Sequence, residues 1–408
     1  MRLNRSEIDH LQKTRWKFLR NHLKTSPFYR NQAESQAEIQ DFPIMDKAIF
    51  MKHFNEINTR NIDKERAFQI AMKAENTRDF SPTINDVSVG LSSGTTGNRG
   101  LFLVSENERA MWVACVLRRV IGWSFKSRSV AFFLRANSNL YNSVQSNLLQ
   151  FHYMDLLIPI GEHIQKLNTI QPTILVAQPS VLIELAKYME NKELKINPTK
   201  IIAVAEVLYP EDNTYLKSVF NQIIHQVYQC TEGFLASTCE FGTLHFHEDY
   251  LFIEKKYLDD SKTRFHPIIT DLKRKSQPVV RYELNDIIHE KTDCKCGSSA
   301  MAIEKIEGRS DDVLIFKDKN SMEIKIYPDF FRRAILFADK SIIDYTITQV
   351  SDSLIEVYLG EQKDLFQKVV LETQKILNHF HIENVVIKLA ESPDFELGLK
   401  LRRVKRKL

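Results

Sequence analysis

Between residues 130 and 205 short apolar runs alternate with segments of helical periodicity, and this alternation constrains the fold more than any other feature of the chain. Val130-Ala131-Phe132-Phe133-Leu134, Met154-Asp155-Leu156-Leu157-Ile158, Ile174-Leu175-Val176-Ala177 and Lys200-Ile201-Ile202-Ala203-Val204-Ala205 read as buried strands, with helices expected over 142–150 and 180–191. Strands apolar on both faces and joined by helices belong to βαβ units of a mainly parallel sheet. From residue 238 the pattern turns to short β runs, at 243–246, 250–254, 266–270, 279–282 and 287–289, which predicts a small barrel-like β unit. After Gly308, strands near 313–316, 345–350, 354–359 and 385–390 with helices over 328–338 and 365–379 predict a compact α+β lid. The expected architecture is α/β: a large domain over 1–308 and a small mobile α+β domain over 309–408.

The 408 residues, 43% of them hydrophobic, suffice for a large core. Near the N-terminus Ile8, Leu11, Phe18, Leu19 and Leu23 fall on one helical face, with Trp16 at its margin and Arg15 interrupting it. Ser26-Pro27 breaks that helix, and Asp46 is placed to start a second one carrying Phe50 and Phe54. The formal charge of +4 is a property of the end of the chain, because Lys400, Arg402, Arg403, Lys405, Arg406 and Lys407 carry six positive charges. The remainder is slightly acidic, so no specific nucleic-acid footprint is expected. No run is long enough for a membrane span, and residues 1–7 lack the apolar core of a leader, so a cytoplasmic protein is expected. Five cysteines in such a chain argue for free thiols or a metal site over a disulfide framework.

The stretch most suggestive of chemistry is Leu91-Ser92-Ser93-Gly94-Thr95-Thr96-Gly97-Asn98-Arg99-Gly100. Alternating Val87-Ser88-Val89-Gly90-Leu91 precedes it and Leu101-Phe102-Leu103-Val104 follows, so it should be a strand-to-strand turn. Glycines let backbone N–H groups point at an anion, and the hydroxyls add donors. It is a candidate phosphate cradle, the alternative being a flexible surface turn. It is not a P-loop of the Lys-containing kind, since no lysine closes it. Next, Ser105-Glu106-Asn107-Glu108 should cap a helix with Met111, Trp112, Cys115, Val116 and Val120 on one side.

Ser-Ser-Gly-Thr-Thr-Gly resembles the signature of the adenylate-forming superfamily, and most of all its phenylacetate–CoA ligase branch, including coenzyme F synthetase-related members. Further motifs carry the same resemblance: Tyr228-Gln229-Cys230-Thr231-Glu232-Gly233, Ala205-Glu206, Arg281-Tyr282-Glu283-Leu284-Asn285-Asp286 and Gly308-Arg309-Ser310-Asp311-Asp312. The resemblance implies that Ser92, Ser93, Gly94, Thr95, Thr96 and Gly97 hold the phosphates of ATP. Thr231 would meet the α-phosphate, Glu232 bind Mg²⁺, and Ala205, Glu206 and Tyr228 line the adenine. Asp286 would bind the ribose hydroxyls while Arg281 holds its loop, Arg309 would contact ribose or phosphate, and Asp311 would be the pivot between domains. In Gly398-Leu399-Lys400, Lys400 fits the mobile lysine that bridges the attacking carboxylate and the α-phosphate, although a solvated basic tail fits the same letters. The loop departs from many relatives in ending with Arg99-Gly100 where they have a lysine.

The implied activity joins a carboxylic acid to AMP with release of pyrophosphate, followed by acyl transfer to a thiol, either coenzyme A or a carrier protein. Two alternatives stay open: transfer of AMP that remains on the product, and a nucleotide-binding scaffold without turnover. Phe132, Phe133, Asn137, Asn139 and Tyr141 are candidate walls of the acid pocket and favour an aryl or unsaturated acid. Oligomeric state is left open. Finally, Cys294-Lys295-Cys296-Gly297 with Cys239 and His245 offers a Cys₃His set for structural zinc, with His247 as the competing ligand and reduced thiols as the alternative. Some phenylacetate–CoA ligase relatives have a similar arrangement.

Overall fold

The structure, a computed structural model, describes residues 3–77, 79, 82–92, 100–122, 126–134, 148–156, 158–309, 312–317, 322–339, 341–393 and 402–407. The chain forms two compact units, one of Met1–Leu284 with Ile288–Lys305 and the other of Asn285–Ile287 with Ile306–Leu408.

The first unit begins with the helix Arg5–Leu23, started by a capping box between Asn4 and Glu7. Ile8, Gln12, Trp16, Leu19 and Leu23 form its buried stripe. The expected positions of two aromatic residues are exchanged: Trp16 is buried edge-on against Phe42, with ring centroids 5.3 Å apart, whereas Phe18 is 70% exposed. The partner surface decides which face is inside, and it also explains the interrupting Arg15, which donates to Asp249 O and ion-pairs with the Asp249 carboxylate. Gln12 reaches Glu248 O and Leu251 O at 2.9 and 2.7 Å.

The large sheet holds twelve strands among the described residues. Five pair in parallel, in the order Leu149–Asp155, Arg128–Leu134, Ile174–Ala177, Lys200–Ala203 and Ile224–Cys230. The helices Ile160–Ile170, Pro179–Glu190 and Pro210–Phe220 lie between these strands in sequence, as βαβ connections require. The strand Leu149–Asp155 corrects the sequence expectation, which put a helix through Gln150 and a strand from 154 to 158; residues 142–147 lie outside the described residues. As the outermost strand of the parallel set it carries polar Gln150 and His152 between apolar neighbours, so it lacks the continuous apolar run of a central strand.

The chain turns back after Cys230, and Gly233–Thr238 pairs antiparallel with Ile224–Cys230. From there Leu244–Phe246, Ala302–Arg309, Asp286–Lys291, Arg264–Asp271 and Leu251–Tyr257 extend the same sheet. The expected strand at 279–282 is reduced to Tyr282–Glu283, because Val279 O is taken by the Asp271 N–H while Val279 and Val280 fill the core.

A three-stranded sheet of Thr83–Ile84, Val87–Leu91 and Leu101–Ser105 carries the hydroxyl-rich stretch. Leu91 pairs with Leu101, so residues 92–100 connect the arms of an antiparallel hairpin. Val87, Leu101 and Leu103 pack against Phe54, Ile62, Ala67 and Ala71. Ser105 and Glu108 form the expected capping box for the helix Glu106–Val116, which continues into a π-helical turn Leu117–Ile121. Met111 is 43% exposed, outside the apolar face that sequence gave it; Trp112, Cys115 and Val116 do pack on the core of the parallel sheet.

In the second unit a hairpin of Leu314–Lys317 and Glu323–Ile326 joins a four-stranded sheet ordered Val386–Leu389, Leu354–Tyr358, Thr346–Ser351 and Val404–Arg406. The helices Pro328–Ala338 and Phe366–His379 pack with these strands around Phe316, Phe331, Ile347, Val357, Val369, Leu377 and Val404. Val404 pairs in parallel with Ile347. The basic end is therefore no solvated tail over 402–406: Arg403 is fully buried, its guanidinium 4.7 Å from the Tyr345 ring centre, and Nη1 donates to Ile343 O at 2.7 Å. Arg402 ion-pairs with Asp312 through both Nε and Nη2. Among the described residues no helix is long and apolar enough to cross a membrane.

Candidate active site and metal centre

Thr231 and Glu232 form the two-residue turn at which the sheet changes from parallel to antiparallel pairing. This is a carboxyl-end position of a parallel strand, where crevices in such sheets open. A register shift between Tyr228 and Gln229 breaks the ladder just before it. Tyr228 is buried with its ring 6.3 Å from that of Phe246, and Thr231 Oγ1 donates to Glu232 Oε2 at 2.9 Å. Burial, reinforced by the charge of Glu232 and a hydrogen bond to it, pushes the Tyr282 phenol far above its ordinary value.

One cleft is lined by Thr231, Glu232 and Tyr282, by Arg274 and Gln277, by Lys47 and Met51, and by Gly100, Leu101 and Phe102 of the hairpin. Asp46 caps the helix Lys47–Lys52 through a 2.8 Å bond from Ile49 N, as its sequence position suggests, and so directs the first turn of that helix here. Ser92 closes the base of the hairpin: its N–H donates to Gly100 O and its Oγ accepts Gly100 N, both at 2.7 Å. Lys47 Nζ lies 3.4 Å from Ser92 Oγ, and a Cβ on Gly100 would come within 3.2 Å of Lys47 Cε. Ser93, Gly94, Thr95, Thr96 and Gly97 lie outside the described residues.

The segment 271–278 ties these elements together, and sequence reading did not single it out. Glu108 accepts the backbone N–H groups of Lys275 and Ser276 at 2.6 and 2.9 Å. Burial works to raise the Glu108 carboxyl, but hydrogen bonds from Ser105 and Ser276 outweigh it and hold the group below its ordinary value. Burial raises Asp271, which sits under Gly233. The only available signal in the sequence is the run of charged and polar letters Lys273 to Gln277 between apolar stretches, which reads equally well as an exposed loop.

The other expected nucleotide residues are placed as follows. The strand before Ala205 ends at Ala203, Ala205 has φ 69°, and Glu206 accepts Ser180 N and Oγ at 3.2 and 3.1 Å at the start of the helix Pro179–Glu190. Arg281 holds its loop as expected, pairing with both Glu254 oxygens at 2.9 and 2.8 Å and donating to Gln40 O and Phe42 O, each at 2.7 Å. Asp286 opens the strand Asp286–Lys291 and groups with the second unit. Gly308 has φ +143°, a backbone state that favours glycine, and Arg309 ends the strand Ala302–Arg309. Asp311 and Lys400 lie outside the described residues, as do Asn137, Asn139 and Tyr141. Of the expected pocket walls, Phe133 is fully buried and meets His163 edge-on, so it is a core residue, whereas Phe132 is half-buried against the core cluster of Val130, Ile174, Val176 and Ile202.

Elsewhere in the first unit the ligand atoms of Cys239, His245, Cys294 and Cys296 all lie within 4.8 Å of one another. Turns at 239–242 and 294–297 present the thiols: Gly242 N donates to Cys239 O and Gly297 N to Cys294 O. Cys239 Sγ is 3.7 Å from Cys294 Sγ, and Cys296 Sγ is 3.3 Å from His245 Nε2. His245 Nδ1 lies 3.0 Å from Ala300 O, which fixes the tautomer that leaves Nε2 for a metal. Burial works against the Cys294 thiolate, yet hydrogen bonds from Thr243, the Cys296 backbone and His245 bring the thiol down to about 6. Three thiolates and an imidazole suit tetrahedral zinc. His247, the competing candidate, is outside this group, with Nδ1 2.9 Å from Arg119 Nη1.

The mixed α/β sheet with a separate smaller α+β domain is a fold that the chain shares with solved CoA ligases. The chain superimposes on 2-hydroxyisobutyryl-CoA ligase in its postadenylation state, in complex with R3-HIB-AMP, with a TM-score of 0.67 at 14% identity, covering 98% of this chain and 89% of that one. It also superimposes on the amide bond synthetase McbA from Marinactinospora thermotolerans, with a TM-score of 0.53 at 11% identity over 77% of this chain and 67% of the other. Among curated proteins it is 24% identical over 220 residues to Protein CapK of Staphylococcus aureus, a match spanning 52% of this chain and just 47% of that protein. No family model matches the chain.

Proposed function

We propose that the protein is an adenylate-forming enzyme of the phenylacetate–CoA ligase-like kind. A carboxylate oxygen of the substrate attacks the α-phosphorus of ATP, the bond to the β-phosphate bridging oxygen breaks, and pyrophosphate leaves with that electron pair. The acyl group then passes to a thiol such as coenzyme A, releasing AMP. The observation that carries this reading is the shared cleft between the Thr231–Glu232 turn and the base of the hairpin bearing the hydroxyl-rich loop. In it the loop donors at 93–97 would take the phosphates, Thr231 the α-phosphate, and Glu232 a Mg²⁺ ion, whose chemistry is to neutralise charge on the phosphoryl oxygens. Lys47 and Arg274 supply positive charge beside a loop that has no lysine of its own. Tyr228, Ala205 and Glu206 are proposed for the adenine, Asp286 for the ribose, Arg309 for ribose or phosphate, and Lys400 for the attacking carboxylate.

An aryl or unsaturated acid is proposed from the aromatic letters Phe132 and Tyr141 of the expected pocket wall. Zinc is proposed for the Cys₃His cluster in a structural role. ATP–pyrophosphate exchange, screened against aryl, unsaturated and short hydroxy acids, tests the reading. Exchange that depends on one class of acid is expected. ATP binding without exchange would identify a scaffold, and a product that keeps AMP by mass would identify an adenylyltransferase.

A further inference from the structure

We infer that Arg274 and Gln277 are positioning residues, which hold the phosphate hairpin at a fixed spacing from the Thr231–Glu232 turn; the inference rests on the adenylation reading above. The strand Leu101–Ser105 pairs with Val87–Leu91 along one edge. Along its other edge the Gln277 side chain takes the place of a strand: Oε1 accepts Leu103 N at 3.0 Å and Nε2 donates to Leu101 O at 3.3 Å. These are the two groups that one residue of a parallel neighbour would satisfy. Gln277 is 0% exposed, so neither group has water as a substitute partner.

Arg274 completes the junction. Its Nη2 lies 3.4 Å from Leu103 O and 3.2 Å from Gln277 Oε1, while Nη1 donates to Thr231 O at 2.6 Å. A single planar guanidinium thus spans the hairpin and the turn, which a lysine with its one nitrogen would not do. The side chain is 9% exposed, its Nε has no partner, and it enters no ion pair among the described residues. Its charge is not unopposed: the buried Asp271 carboxyl interacts with it, and Glu232 lines the same cleft. Arg274 lines the cleft with Glu232 and Lys47, and its guanidinium ties the turn to the hairpin there.

The spacing matters for the first half-reaction alone. In-line attack needs the β- and γ-phosphates on the hairpin and the α-phosphate at Thr231 to be in register, and a shift of about 1 Å can cost about 100-fold. A preformed acyl-adenylate has no β- or γ-phosphate, so its reaction with a thiol needs the turn at Thr231 but not its spacing from the hairpin.

The test uses the full chain with Arg274→Lys and Gln277→Leu. ATP–pyrophosphate exchange is measured with KM for ATP and for pyrophosphate, AMP release is followed from synthetic acyl-adenylate plus coenzyme A, and melting temperature is recorded. Exchange is expected to fall about 10- to 100-fold, with KM for pyrophosphate raised, while AMP release from the adenylate falls far less. Equal losses in both half-reactions, or losses that follow melting temperature alone, would overturn the positioning role. Should Gln277→Leu fail to fold, Gln277→Glu keeps the acceptor and the Arg274 contact but loses the donor to Leu101, and the same split between half-reactions is required of it. A wild-type protein that gives no exchange with any acid overturns the adenylation reading itself, and this role with it.

Discussion

The Sγ of Cys296 lies 3.3 Å from Nε2 of His245, although the two residues are 51 apart in sequence. The contact joins the hairpin at Leu244–Phe246 to the knuckle before Ala302–Arg309, and Met301 N, next to that knuckle, donates to Glu248 Oε2. Glu248 in turn pairs with Arg5 at 3.0 Å, so the N-terminal helix is linked to the Cys₃His cluster through a single carboxylate. Purified protein should hold one zinc per chain by elemental analysis and Cys296→Ser almost none. Chelation should lower the melting temperature by roughly 5 °C or more. Equal, near-zero metal in both proteins would discard the site.

Glu108 gives a pH dependence with a definite sign. Its carboxyl is held below the ordinary value in the folded chain, so the stability it contributes is complete above that ordinary value and is lost as pH falls through the folded one. Glu108→Gln should therefore melt lower than wild type at neutral pH, by about 1–2 kcal/mol, for loss of the charged cap and of its bonds to Lys275 and Ser276. The gap should close in acid, below the usual glutamate range. A gap that stays constant from pH 7 to pH 3 would contradict this cause.

Asp312 and Arg402 connect the segment after Gly308 to the start of the last strand, with side chains 10% and 16% exposed. Asp312→Ala leaves a nearly buried guanidinium unpaired, at a cost of about 3 kcal/mol. Amide exchange should quicken in Ile347 and in Val404–Arg406, whose pairing follows directly on Arg402. The strand Val87–Leu91 of the first unit should keep its protection, and loss there of equal size would mean a global effect.

Lys400→Ala, a test of the proposed mobile lysine, should reduce adenylation far more than thiol transfer from a preformed adenylate. Equal losses, read by exchange and by AMP release, would place the lysine elsewhere in the register.

The second unit was legible because local signals agree with its packing. Pro328 at the first helical position and an apolar stripe of Phe331, Ala334 and Ile335 mark out the helix Pro328–Ala338 without reference to its surroundings. The hairpin around the hydroxyl-rich loop was likewise readable from the alternation on either side of it, and the Cys₃His set from its spacing together with the family resemblance. What could not be read was set by distant partners. Gln277 bonds to Leu103 across 174 residues, and Arg274 to Leu103 across 171, so polar letters that suggest a loop are in fact buried. The same holds for Trp16, drawn inward by Phe42, and for Arg403, drawn in by Tyr345.

The central claim is that Glu232 holds the metal of a Mg·ATP complex at the turn beside the hairpin. Its most direct measurement is the rate of carboxylate-dependent ATP–pyrophosphate exchange in Glu232→Gln against wild type, at saturating magnesium and with melting temperatures matched. The account predicts a loss of about 100-fold or more with the fold intact. Exchange at the wild-type rate in the variant would contradict it.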